Sequence, residues 1–200
     1  MKGVCLIALA AALITLAPAP SHAQQKKDMG ELRFSSEEKA VRDSGVWIDG
    51  QYTGYVDELR GDDDKLKLTA GPHHVTVRQA GYKDFDRTVI VEPRKVRWVE
   101  VTMEKDPAAV YPTGKASELK LNIAPARAAV FVDDGYIGHA SDFGGYRVMV
   151  VTPGKHRVKV ELPGYQPFET EVTPLPGQRT EISTGLVKDD SRRPSTLIKN

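Results

Sequence analysis

The chain has 200 residues, of which 40% are hydrophobic and 28% are charged. Its 28 Lys and Arg residues are balanced by 27 Asp and Glu residues. The hydrophobic share is enough for a packed core and excludes a chain that is disordered throughout. Because there is no cationic excess to hold a polyanion, nucleic acid is not expected as a partner.

The first 23 residues have the three-part layout of a secretory signal peptide. A basic start precedes an apolar run over residues 3–17 that ends at Pro18, and small residues stand three and one positions before the predicted cleavage site. A membrane anchor, the alternative, needs about 20 apolar residues. We therefore expect cleavage after Ala23, a flexible segment over residues 24–30 and no transmembrane anchor in the cleaved chain, which places the protein in the periplasm, at the cell surface or in the medium.

The single cysteine, Cys5, lies inside the predicted signal peptide. Cleavage after Ala23 would leave a chain without any thiol. This excludes disulfide bridges, a cysteine nucleophile and thiolate metal sites from the cleaved protein. An exported protein of this kind has to be stabilised by packing alone.

Residues 31–104 form the first predicted structural unit. Val75 and Val77 alternate with polar neighbours, and Val99 and Val101 do the same further along. Strict alternation predicts strands with one buried face. Asp-Gly, Pro-Gly and Gly-Tyr dipeptides between the runs predict turns.

A second unit follows the first after a linker. Residues 105–117 contain two prolines and little periodicity, which is typical of a linker. Within the second unit, residues 118–187, the segment Thr152–Phe168 aligns with Thr69–Phe85 over 17 positions without a gap, and 8 of these are identical. Residues 188–200 are predicted to be a disordered tail. The sequence thus predicts an all-β protein of two tandem β-sandwiches, each with about six or seven short strands.

The motifs shared by the two units are turn and packing signatures. The second unit carries Pro-Gly-Lys-His-x-Val-x-Val from Pro153, then Pro-Gly-Tyr-x-Pro-Phe from Pro163, after the strand and turn of residues 130–138. These motifs resemble the PEGA domain family, and Pro125–Ala128 approximates the motif that names it. The first unit is a looser match, because residues 35–45 replace the proline-containing turn. The resemblance implies prealbumin-like or Ig-like sandwiches that are extracytoplasmic, non-catalytic and used in surface and envelope proteins.

Most of the repeated aromatic residues have a structural interpretation. Trp47 and Phe131 occupy alternating strand positions, as do Phe85 and Phe168, and we expect all four in a core. Tyr82 and Tyr165 each follow a glycine at a turn, where we expect the ring to cover the edge of the core. Four tyrosines flank the loop after the Val-x-Val-Asp strand and are the candidate contacts with a ligand or partner: Tyr52, Tyr55, Tyr136 and Tyr146.

Neither the histidines nor the acidic residues make a convincing metal site. His73 and His74 are adjacent, so on a strand their side chains point to opposite faces. His73 recurs as His156, which favours a hydrogen bond at the hairpin. Asp62–Asp64 do not supply the wrapped set of oxygens that calcium requires. We expect no metal and no cofactor, although calcium binding by the Asp62–Asp64 loop stays open.

The sequence offers no catalytic set. It lacks the Gly-x-Ser-x-Gly, His-Glu-x-x-His and phosphate-binding glycine patterns. Paired carboxylates could serve glycoside hydrolysis, but sandwiches of this size leave no deep cleft. The leading hypothesis is a non-catalytic binding or scaffolding protein of the bacterial envelope, with a glycan or an envelope protein as partner. A passive structural spacer is the alternative, and a hydrolase of envelope polymers is the third.

Overall fold

A computed structural model describes residues 28–61, 66–109, 112, 115–189, 191 and 197–199. The predicted signal peptide and the Asp62–Asp64 loop lie outside these residues. Among the described residues, strands predominate and only short helices occur.

The first unit contains, within the described residues, seven strands and one short helix. The short helix lies between the first two strands, in the segment where the sequence departs from the second unit. The elements are β1 (Met29–Ser35), α1 (Lys39–Arg42), β2 (Gly45–Ile48), β3 (Gln51–Tyr55), β4 (Leu66–Thr69), β5 (Gly71–Arg78), β6 (Phe85–Val91) and β7 (Val96–Glu100).

The second unit also has seven strands, all within the continuously described range 115–189. A single-turn 3-10 helix, Ala140–Phe143, follows its third strand. The strands are β8 (Ser117–Ala124), β9 (Ala129–Val132), β10 (Gly135–His139), β11 (Met149–Val151), β12 (His156–Glu161), β13 (Phe168–Val172) and β14 (Arg179–Gly185).

The two units have the same sheet topology. In the first unit, the sheet order is β4-β1-β7 on one side and β3-β2-β5-β6 on the other. In the second, the corresponding orders are β11-β8-β14 and β10-β9-β12-β13. The first and last strands of each unit pair in parallel, and the remaining pairs within the units are antiparallel. Two tandem all-β sandwiches are therefore confirmed.

Alternating side chains fill the interior of each sandwich, as predicted. Val75 and Val77 in β5 are completely buried, and Val158 and Val160 occupy the same positions in β12. The intervening Lys159 lies on the opposite face of the sheet and is only half-buried. Because successive side chains of a strand point to opposite faces, one face of each sheet closes the core and the other is left for other contacts.

The hairpin turns between β2 and β3 and between β9 and β10 explain two of the shared motifs. In the first turn, Asp49 and Gly50 have φ values of +51° and +80°. In the second turn, Asp133 and Asp134 have φ values of +50° and +66°. Two successive residues with positive φ are typical of a type I′ turn, which suits the twist of antiparallel strands.

A short strand near the end of the chain pairs with the first unit. Leu197–Lys199 form β15, which pairs antiparallel with Leu66–Leu68 of β4. Within the first unit β4 is an edge strand, and its outward backbone N–H and C=O groups can pair with any extended segment that reaches them. A polar tail composition does not reveal such an acceptor.

Candidate functional site at the junction of the two units

Trp47 connects the first unit to the core of the second. Its neighbours in β2, Val46 and Ile48, are buried in the core of the first unit. Since the side chains alternate, Trp47 points the other way and joins the apolar cluster of the second unit. Its ring centroid lies 6.2 Å from that of Phe131 and 5.0 Å from that of Tyr136. The buried location predicted for Trp47 and Phe131 is confirmed, but their rings pack between the two units.

Equivalent positions of the two units meet at this junction. Three ring pairs show it, with centroid distances of 6.2 Å, 6.5 Å and 4.2 Å: Trp47 with Phe131, Tyr52 with Tyr136, and Tyr55 with His139. Contact between equivalent residues is the signature of a two-fold, isologous interface. The junction therefore has a local two-fold symmetry within one chain.

Gly45 allows this close packing. A Cβ atom built on Gly45 would lie 2.7 Å from Cζ of Tyr136 and 2.8 Å from the ring of Trp47. Both distances are far inside ordinary van der Waals contact. The equivalent position in the second unit is Ala129, which is completely buried. The absence of a side chain at Gly45 thus makes room for the tyrosine of the neighbouring unit.

Arg127 provides the polar link across the junction. Its Nε lies 3.0 Å from Oε1 of Glu58, whose side chain is only 8% exposed. Its Nη2 donates a hydrogen bond to the carbonyl oxygen of Thr53 at 2.9 Å. In return, the hydroxyl of Tyr52 donates to the carbonyl oxygen of Arg127 at 3.0 Å. The segment Pro125–Ala128, which resembles the family motif, therefore serves the contact between the units.

A glycine in β3 places Glu58 beside Arg127. Gly54 has a φ of +153°, and a Cβ atom there would overlap the carboxylate of Glu58. The equivalent Gly138 has a φ of +150°, and a Cβ atom would lie 2.7 Å from Oδ2 of Asp142. Both hairpins thus leave space for an acidic side chain over the strand. Partial burial raises the pKa of Asp142, an effect that the hydrogen bond from the backbone N–H of His139 opposes.

The four candidate tyrosines have different environments. Tyr52 and Tyr136 are 3% and 8% exposed, and burial raises the pKa of both hydroxyls. Tyr55 is half-buried, and this burial, followed by the nearby Glu58 carboxylate, raises its pKa. Tyr146 is fully exposed. The junction brings the first three together and leaves Tyr146 outside. Contact with a ligand or partner stays a prediction for all four.

A small cleft opens where β3 of the first unit meets the end of β12 of the second. Its volume is about 150 Å³. Tyr52, one of the candidate contacts, forms part of its wall. The residues that line the cleft are Gln51, Tyr52, Glu161, Leu162, Pro163, Tyr165 and Pro167.

His156 fastens the β9–β10 turn to the start of β12. Its Nδ1 lies 2.7 Å from Oδ2 of Asp133, and its Nε2 lies 2.7 Å from the carbonyl oxygen of Thr152. The Asp133 carboxylate also accepts a hydrogen bond from the backbone N–H of Arg157 at 2.9 Å. His73 makes the same contacts with Asp49 and Thr69 at 2.7 Å and 2.8 Å. The hairpin hydrogen bond predicted from the repeat is confirmed, and each unit carries an Asp–His clasp of these residues.

Both groups of the second clasp have shifted pKa values. Burial acts to lower the pKa of His156, but the hydrogen bonds with Asp133 and Thr152 outweigh it and raise the pKa above 6.5. Burial acts to raise the pKa of Asp133, but the hydrogen bonds from Arg157 and His156 lower it below 3.8. The carbonyl of Thr152 can only accept, so a protonated ring satisfies both contacts of the clasp.

His74 lies outside the clasp, on the face of β5 opposite to His73. Its Nε2 lies 3.3 Å from Oδ1 of Asp86. Within the described ranges, no three His, Cys, Asp or Glu side chains gather in a way that could hold a metal ion. In the same part of the chain, no helix is both long and apolar enough to cross a membrane.

Sequence reasoning did not find several parts of the junction. The ion pair of Arg127 and Glu58 and the cleft beside Tyr52 were missed. The ion pair and the cleft each combine side chains from both units, and these residues share no local sequence pattern. The repeat itself contains a signal that could have found them. The outward-facing position of the strand after Arg127 is aromatic in both units, as Phe131 in the second and Trp47 in the first.

Comparisons with known proteins follow the division into two units. A family model described as the PEGA domain matches residues 40–107 and 116–190, which together are most of the chain. No curated protein matches the chain.

Two solved structures show a distant similarity. The Bacillus anthracis TIE protein is 14% identical over 80% of this chain, with a TM-score of 0.24, and this chain spans only 34% of it. GBS52, the minor pilin of Streptococcus agalactiae, is 10% identical over 80% of this chain and 96% of its own, with a TM-score of 0.21. Because both scores are low, the fold assignment depends on the strand order described above.

Proposed function

Because the chain belongs to the PEGA domain family, we propose that it is a non-catalytic binding and scaffolding protein of the bacterial envelope. The observation that carries this proposal is the junction, where rings and an ion pair join both units over equivalent surfaces. A joined pair of sandwiches presents the loops of both units in a constant arrangement. Such an arrangement suits the recognition of an extended or repetitive partner.

The partner in this proposal is an envelope glycan or an envelope protein outside the cytoplasm. The predicted signal peptide supports this location. Tyr146 supports a contact role, because its ring is fully exposed and lies in the loop between the 3-10 helix and β11. An exposed tyrosine offers a flat apolar surface and a hydroxyl group at little cost in conformational entropy.

Site-specific photocrosslinking in cells tests the proposal. A photoreactive benzoyl-phenylalanine replaces Tyr146, and the same residue replaces Ile90 as a control, since Ile90 is also exposed but lies in the first unit. We expect an envelope component to be captured from the Tyr146 position and not from Ile90. Capture from neither position, together with no retention of glycan or envelope protein by the purified chain, would contradict the proposal and support a passive spacer.

A further inference from the structure

We propose that the cleft between the two units binds one sugar ring of an envelope glycan. The inference rests on the proposed function and deepens it, because it names the site and the chemical class of the ligand. Gln51 and Tyr52 come from β3 of the first unit, whereas the remaining lining residues come from Glu161–Pro167 of the second. The site therefore exists only where the two units are joined.

The lining of the cleft is partly apolar and partly polar, and its apolar part suits the hydrophobic face of a pyranose ring. Tyr165 is half-buried, and its ring packs against the core of the second unit, which holds it in place. Leu162, Pro163 and Pro167 add further apolar groups to the lining. Small-molecule sites in proteins are mostly apolar and aromatic, with a few polar groups that orient the ligand.

The polar groups of the cleft suit vicinal hydroxyl groups. The side-chain amide of Gln51 both donates and accepts, and the carboxylate of Glu161 accepts. Oε1 of Glu161 lies 2.7 Å from Nζ of Lys159, and the side chains of this pair are 36% and 34% exposed. The carboxylate is thus oriented by the lysine and still accessible to a ligand. Between them, the amide and the carboxylate can accept from and donate to neighbouring hydroxyl groups of a sugar.

The size of the cleft limits the ligand to one ring. A volume of about 150 Å³ is below the roughly 300–1,000 Å³ typical of drug-sized ligand sites. One monosaccharide unit of a longer chain is accommodated, with the neighbouring units in solvent. Such a site gives weak binding per unit, in the millimolar range, and it gains strength when several copies meet one polymer.

The local two-fold symmetry supplies an internal comparison. At the position related to Glu161, the first unit carries Arg78, whose guanidinium lies 5.0 Å from the ring centroid of Trp47. Arg78 also pairs with Asp84 at 3.0 Å, and Asp84 is the counterpart of Pro167. The ion pair of Arg78 and Asp84 thus occupies the positions that Glu161 and Pro167 occupy in the second unit. The two sides of the junction have diverged, and the side with the cleft carries Glu161 and Pro167 in place of the charged pair.

Nuclear magnetic resonance titration of the purified full chain with N,N′-diacetylchitobiose tests the inference. We expect saturating shifts confined to the amides of residues 51–52 and 161–167. Tyr165→Ala should weaken the apparent affinity roughly tenfold through loss of the ring surface. Glu161→Gln should weaken it roughly three- to tenfold, because a charged acceptor is lost while the shape of the side chain is kept.

Tyr82→Ala is the matched control. Tyr82 is the counterpart of Tyr165 and packs against the other core. Tyr82→Ala should therefore lower the free energy of unfolding about as much as Tyr165→Ala and leave chitobiose binding unchanged. If Tyr165→Ala does not fold, the isosteric Glu161→Gln decides the result.

Several outcomes would overturn the inference. The first is that millimolar chitobiose produces no saturable shifts. The second is that neither Tyr165→Ala nor Glu161→Gln weakens the binding. The third is that a proline-rich peptide, but not the sugar, produces shifts at the cleft. The crosslinking experiment at Tyr146 is independent of the cleft. Capture there without chitobiose binding would remove the sugar site and leave the proposed function standing.

Discussion

Arg94 is a residue whose backbone does not suit its side chain. It lies in the turn between β6 and β7 with a φ of +59°, where the second unit has Gly177 with a φ of +71°. An L-residue in the left-handed region costs about 1 kcal/mol relative to glycine. We predict that Arg94→Gly raises the free energy of unfolding by about 0.5–1 kcal/mol, measured by urea denaturation.

The reciprocal change is the control for this prediction. Gly177 and Arg94 make equivalent backbone hydrogen bonds. The N–H of Arg94 donates to the carbonyl oxygen of Met29 in β1, and the N–H of Gly177 donates to that of Ala116, just before β8. Gly177→Ala should therefore lower the free energy of unfolding by about 1 kcal/mol. A loss of stability in Arg94→Gly would show that the exposed arginine side chain contributes more than its backbone costs.

The Asp–His clasp of the second unit predicts a pH dependence of stability. Because the pKa of His156 is raised above 6.5 in the folded state, its contribution is complete below pH 6.5 and is lost as the pH rises through the folded pKa. Because the pKa of Asp133 is lowered below 3.8, its contribution is present above pH 3.8 and is lost as the pH falls through the folded pKa. The clasp therefore stabilises the fold most between these two values.

His156→Gln tests this interpretation. We expect the urea midpoint of the unaltered chain to fall between about pH 6 and about pH 9, and His156→Gln should make that fall smaller. His74→Gln should leave it unchanged, because the His74 side chain is 55% exposed and lies outside the clasp. A ring of His156 that titrates below pH 6.5 in the folded protein would contradict the assigned hydrogen bonds.

At the scale of elements, the segment before β9 is held to the loop after β3 by Arg127. Arg127→Ala would remove the ion pair between the guanidinium of Arg127 and the buried carboxylate of Glu58. Removing one member of a buried pair costs about 3–5 kcal/mol, and we expect about 2–3 kcal/mol here, because Arg127 itself is 32% exposed. Thermal unfolding provides the measurement.

Arg179→Ala is the matched control for Arg127→Ala. Arg179 lies 2.7 Å from Glu118, but these side chains are 56% and 43% exposed. Its loss should cost less than about 1 kcal/mol. Equal losses in the two variants would mean that the link across the junction is no stronger than an ordinary surface pair.

The strands were largely predictable, and the junction was not. Alternation identified Val75, Val77, Val158 and Val160 as core residues, because a strand with one buried face alternates apolar and polar residues along the sequence. The same alternation shows that Trp47 points away from Val46 but not what it meets. That partner is set by the packing of a unit some eighty residues away in the chain, roughly the length of one repeat. For this reason the burial of Tyr136 against Trp47 could not be predicted from the local sequence.

At the scale of the whole molecule, Trp47 couples the stability of the two units. In the unaltered chain we expect one cooperative calorimetric transition. Trp47→Ala removes the ring that contacts Phe131 and Tyr136. Loss of a buried tryptophan costs about 3–5 kcal/mol, so we expect the transition to separate into two, with the weaker unit melting first.

Trp98→Ala provides the comparison for Trp47→Ala. Trp98 belongs to the same unit but is 49% exposed on the outer face of its sheet, with Arg33 above its ring. Its removal should leave a single transition with little change in midpoint. Two transitions in the unaltered chain would show that the units melt independently despite the contacts at the junction.

The local symmetry of the junction has a consequence for how such a protein can change over time. Two separate identical chains that met in this way would carry each mutation twice, once on either side of the axis. Fusion in one gene removes that constraint, because the codon for Arg78 and the codon for Glu161 vary separately. One flank can then carry a charged pair beside the indole while the opposite flank carries the cleft, an asymmetry that a symmetric homodimer lacks.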